Sequence, residues 1–84
     1  MQNWAAMIKV YPNPTQSFLN IDLPDSLVPF TVSICSLLGE EIAYTHNKSS
    51  IDISHLTNGV YLLTVIQNEN IWKTKILKEE GKNY

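Results

Sequence analysis

Apolar and polar residues alternate with a period of two along most of the chain. Nowhere does an apolar face recur at the three- and four-residue spacing of a helix. Ile8 and Val10 alternate up to Pro12-Asn13-Pro14, where two residues without a backbone N–H end the first predicted strand. Leu19, Ile21 and Leu23 alternate with Asn20 and Asp22 in a second strand, closed by Pro24. Phe30, Val32 and Ile34 form a third, which the pattern carries on through Leu37-Leu38 to Gly39. Ile42 and Tyr44 mark a fourth, and Ile51 and Ile53 flank Asp52 in a short fifth. Val60 to Ile66 is apolar on both parities, so this strand is expected to be covered on both faces. Trp72, Thr74 and Ile76 complete the series, with Lys73, Lys75 and Leu77 on the opposite face. Gln67 to Asn70 reads as the hairpin turn between the last two strands. Ser54 to Gly59 fits no strand. Ser54 suits the cap of a single helical turn, Leu56 a plug in the core, and Asn58-Gly59 the positive φ that ends the turn. Seven short strands separated by Pro, Gly, Asn and Ser predict an all-β fold, a small antiparallel sandwich.

The 84 residues make one domain. A chain of this size buries about 60–65 % of the surface it exposes when unfolded, so its core has little to spare. Cys35 is the single cysteine, which leaves no intrachain disulfide and no thiolate metal cluster to reinforce it. The net charge is −2, and no basic cluster is denser than Lys73, Lys75 and Lys78. That argues against nucleic acid as a partner, because affinity for phosphates needs many cationic contacts. No apolar run approaches the roughly 20 residues of a membrane-spanning helix. Met1 to Tyr11 lacks the pattern of a signal peptide, so an exported form is expected as the tail of a longer precursor.

Few residues offer chemistry. His46 and His55 fall in predicted turns, and Cys35 lies in a strand, where a thiol packs as a small apolar group. The carboxylates are scattered without calcium-loop spacing, and three glycines are too few for a phosphate loop. No catalytic residue, cofactor, metal or small-molecule substrate is therefore expected. Asn47-Lys48-Ser49 reads as a polar turn, Trp72 as core, and Trp4 as part of a fraying leader.

Four features in one order carry a family resemblance. They are Val10-Tyr11-Pro12-Asn13-Pro14 followed by Phe18-Leu19-Asn20-Ile21; Val32-Ser33-Ile34 leading through Gly39 to Glu41-Ile42; Ile51-Asp52-Ile53-Ser54 with Leu56, Gly59, Tyr61, Leu63 and Val65; and Lys75-Ile76-Leu77-Lys78. Together they resemble the type A C-terminal sorting domain of the type IX (Por) secretion system of Bacteroidetes. The resemblance spans Ile8 to Lys78. It implies a seven-stranded immunoglobulin-like sandwich that folds in the periplasm and is recognised by the outer-membrane translocon. It further implies removal at the cell surface by a sortase-like cysteine protease, often with the cargo joined to lipopolysaccharide. On this reading residues 1–7 are a linker from an upstream cargo protein, 8–78 the sorting domain, and 79–84 a flexible tail beyond the family's terminal lysine motif.

The resemblance places Pro12, Asn13, Pro14, Gly39, Asp52, Leu56, Gly59 and Tyr61 among the residues that shape the fold. Lys75, Ile76, Leu77 and Lys78 become candidates for contact with the translocon. Asn13 is expected to hold its turn by bonding nearby backbone, and lysines at a strand end also blunt an exposed edge. Leu62, Ile66 and Leu77 form an apolar strip suited to weak self-association through an edge strand, or to the translocon. The competing expectation is a retained accessory sandwich that grips carbohydrate or a neighbouring domain, with Tyr44, Tyr61 and Trp72 as stacking groups.

Overall fold

The computed structural model describes residues 4–25 and 27–79. The alternation resolves into seven strands: β1 (Lys9–Tyr11), β2 (Phe18–Asp22), β3 (Phe30–Cys35), β4 (Glu41–His46), β5 (Ser50–Asp52), β6 (Gly59–Gln67) and β7 (Asn70–Lys78). They form two antiparallel sheets, one ordered β1-β2-β5 and the other β4-β3-β6-β7. The chain changes sheet between β2 and β3, between β4 and β5, and again between β5 and β6. This puts β2 beside β5 and β3 beside β6, the arrangement of an immunoglobulin-like sandwich, with β4 added next to β3.

One face of each sheet supplies the core. Leu19, Ile21 and Ile51 from the three-stranded sheet meet Val32, Ile34, Leu63, Val65 and Ile76 from the four-stranded one, all at 2 % exposure or less. Phe30, Val32 and Ile34 are buried while the residues between them are half-buried, so period two is what the sheet reads. Trp72 packs against this core from the inner parity of β7, as expected.

Two local expectations give way to turn chemistry. Leu37-Leu38 does not extend β3, because Ser36 turns the chain. Its hydroxyl accepts from the Leu38 and Glu40 amides (3.3 and 3.2 Å), and Gly39, at φ +92°, donates its amide to the Ser36 carbonyl. Both leucines are left exposed at the hairpin tip. A bulge where Ile34 and Cys35 face β4 then shifts its register, so that Ile42 and Ala43 both pack on the core and Tyr44 faces solvent. The second concerns Ser54. Its amide is the donor and the Asp52 carboxylate the acceptor (2.9 Å), so Asp52 caps this turn, and Leu56 packs half-buried against the core.

Thr45 faces Val32 across the sheet, and its hydroxyl is buried without a hydrogen-bond partner. Thr45→Val keeps the branched shape and removes a desolvated polar group. The expected result is a gain of about 1 kcal/mol, read in a thermal melt as a rise of about 4–8 °C for a domain of this size. A lower melting temperature would contradict it.

The leader is docked from Trp4 onward. Ala5–Met7 form a 3₁₀ turn, and the Trp4 indole N–H donates to Gln67 Oε1 at 2.7 Å. Trp4 packs half-buried on the core and does not fray. Gln67 is itself 4 % exposed, and its amide donates to the carbonyls of Asp25 (2.7 Å) and Val28 (3.1 Å). Read from sequence as a turn residue, Gln67 is a buried polar junction of three segments. The expected flexible tail lies, beyond Glu79, outside the described residues.

Candidate functional site

β1 ends at Tyr11, whose hydroxyl donates to Asp22 on β2 (3.3 Å); the Asp22 charge raises the phenol above its ordinary pKa. The Tyr11–Pro12 and Asn13–Pro14 peptide bonds are both cis. With no N–H at residues 12 and 14 the ladder to β2 stops, and the chain crosses to the other sheet. There Asn13 Oδ1 accepts the Leu77 amide (3.0 Å), the Thr15 amide donates to the Leu77 carbonyl (3.0 Å), and the Glu79 amide donates to the Thr15 carbonyl (2.9 Å). Thr15 thereby pairs parallel with Lys78. Its hydroxyl donates to the Phe18 carbonyl (2.8 Å), which directs the chain back into β2.

The first and last pieces of the sequence pattern are therefore one structure. Asn13 does not serve its own turn, as expected from sequence, but a strand 64 positions away. Thr15, which no sequence motif singles out, is 1 % exposed at the centre of this junction.

The four candidates at the end of β7 separate by parity. Lys75 is open to solvent and Leu77 half-buried on the outer face, whereas Ile76 and Lys78 point inward and are each 1 % exposed. Lys78 is thus no edge-blunting surface lysine; it is buried, and Thr15 pairs beside it. The register sets Ile71, Lys73, Lys75 and Leu77 of β7 beside Ile66, Thr64, Leu62 and Val60 of β6. The β6–β7 part of the outer face therefore carries an apolar strip, interrupted by Thr64, with two lysines along its β7 rim. Leu37 and Leu38 lie at the same end of the sandwich, since Cys35 pairs near the start of β6 and Lys78 pairs with Gly59.

The remaining motif residues shape the connection from β5 to β6 at the same end. Gly59 adopts φ +153°, rarely open to a side chain, and β6 starts there. Tyr61 is 8 % exposed, and its hydroxyl donates back to the Thr57 carbonyl at 2.6 Å, fixing the corner between β5 and β6. The Asp52 carboxyl is held below the ordinary aspartate range, chiefly by the Ser54 backbone amide, then by the Ser54 side chain, with a smaller contribution from His55.

The residues considered for other chemistries fall in different parts of the sandwich. Cys35 pairs with Glu41 and Leu62, whereas His46 pairs with Thr31 at the far end of β3, so these two do not meet. Of the three stacking candidates, Tyr61 is buried and Trp72 packs on the core, which leaves Tyr44 as the exposed ring.

A family model described as the secretion system C-terminal sorting domain matches residues 9–79, from the start of β1 to the residue after β7. Among curated proteins none matches the chain.

Proposed function

The chain belongs to the type IX secretion C-terminal sorting domain family, and on that premise we propose that it is read as a folded address and then discarded. As a member of that family it is a sorting signal for export to the outer membrane or cell surface, working with the secretion machinery and an attached cargo domain. In our reading the sandwich forms in the periplasm and presents the β7 end to the translocon. A surface sortase-like cysteine protease then cuts upstream of the domain, and the cargo is joined to lipopolysaccharide.

The observation that carries a folded address is the meeting of the two ends of the family match. Asn13 and Thr15 touch Leu77, Lys78 and Glu79 only when the whole sandwich is assembled. A linear signal would have no use for such a contact.

Fusion of residues 1–84 to a periplasmic reporter tests the reading in a host with this secretion system. The expected result is reporter at the cell surface, with the sorting domain missing from its mature mass. Reporter held in the periplasm with the domain folded would overturn the sorting role. Surface reporter that still carries the domain would overturn removal and favour a retained accessory module.

A further inference from the structure

We propose that residues 12–15 form a releasable strap over the end of β7, and that an extended segment of a partner protein takes the strap's place when the domain is recognised. This rests on the sorting-signal reading and adds the surface by which the signal is gripped.

β7 is an edge strand of its sheet. Leu77 and Glu79 direct their backbone groups away from β6, toward the strap. By the alternation of an antiparallel ladder, Ile71, Lys73 and Lys75 direct theirs the same way. Among the described residues no strand pairs with them. The outer edge of β7 is therefore a template for strand addition, open along most of its length and closed at its end by the strap.

The strap is built to stay short. Pro12 and Pro14 have no N–H to give, so it holds β7 through Asn13 and Thr15, while β6 pairs with β7 along the whole strand. Local opening draws on such weakly held segments, because few hydrogen bonds are lost and the core stays packed. Release would free the Leu77 and Glu79 backbone groups and make the edge continuous from Asn70 to Lys78.

The occupant is a different protein from this one. Two copies joined edge to edge through β7 would bring Lys73 and Lys75 close to their counterparts, and like charges across strands oppose pairing. An extended segment with acidic side chains beside those lysines fits; its main chain would supply affinity and its carboxylates register.

The test uses the full 84-residue chain. In native-state amide exchange, Thr15 and Glu79 are expected to exchange at least about 100-fold faster than Leu63 and Val65 in the centre of β6. Asn13→Ala removes one bond of the strap. It should speed the Thr15 and Glu79 amides about two- to tenfold and leave Leu63 and Val65 unchanged.

A short synthetic peptide of alternating glutamate and valine, which carries the acidic side chains and lacks proline, serves as the competing segment. Its apparent affinity should rise by the same factor in Asn13→Ala, because binding draws on the open fraction. A single exchange rate for all four amides would overturn the strap, since it would then open only when the domain unfolds. Peptide binding that is absent, or unchanged by Asn13→Ala, would overturn the replacement. Neither arm uses the secretion host, so these results stand or fall apart from those of the reporter fusion.

Discussion

Leu63→Ala is expected to cost about 3–5 kcal/mol and raise the unfolded fraction of the domain at least about 100-fold. Leu63 is fully buried in β6, between Ile34 of β3 and Thr74 of β7, and its side chain faces the opposite sheet. Truncation removes the transfer free energy of three carbons and opens a cavity that two hydrogen-bonded neighbours keep from collapsing. A chain of 84 residues has a total stability of roughly 4–13 kcal/mol, so one such loss is a large share of it. Urea denaturation should show a lower midpoint with an unchanged slope. Fused to the reporter, the variant should be exported only in proportion to its folded fraction. Full export of an unfolded variant would place the address in the linear sequence instead.

Gln67→Ala is the second large effect, at about 2–3 kcal/mol. The side chain accepts from the Trp4 indole and donates to the Asp25 and Val28 carbonyls, so its loss strands three groups at a closed end of the sandwich. Gln67→Glu sharpens the test. It keeps the acceptor for Trp4 but sets a carboxylate oxygen against two carbonyls, and should be no more stable than alanine. The two tryptophans give two indole N–H signals in a nitrogen-correlated NMR spectrum. In Gln67→Ala the Trp4 signal should lose its protection from exchange, whereas Gln67→Glu, which keeps the acceptor, should retain it. Equal protection of Trp4 in the native and alanine chains would show that the leader is held by packing alone.

The positions of the strands were legible because their cause is local. Alternate residues of a strand face opposite sides, so one buried face imposes period two on the sequence, as Phe30, Val32 and Ile34 show. Gly39 and Gly59 were legible for a similar reason, since each occupies a backbone region closed to most side chains. Local chemistry also explains where the pattern misled. Leu37-Leu38 continues an apolar run, but the Ser36 hydroxyl captures two amides and closes a turn first. Asp52 outcompeted Ser54 as a cap by accepting that residue's amide.

Taken alone, the sequence determined that the chain is all-β, where most strands fall, and which ordered motifs place it in its family. The tertiary structure decided what those motifs touch. Nothing local to Asn13 specifies Leu77, nothing local to Lys78 predicts its burial, and nothing in Gln67 beside a turn announces a junction with Trp4. Each depends on strands distant in sequence becoming neighbours, a choice made by the joint burial of two sheet faces. Residue spacing encodes the face a side chain takes; only the assembled sandwich fixes its partner.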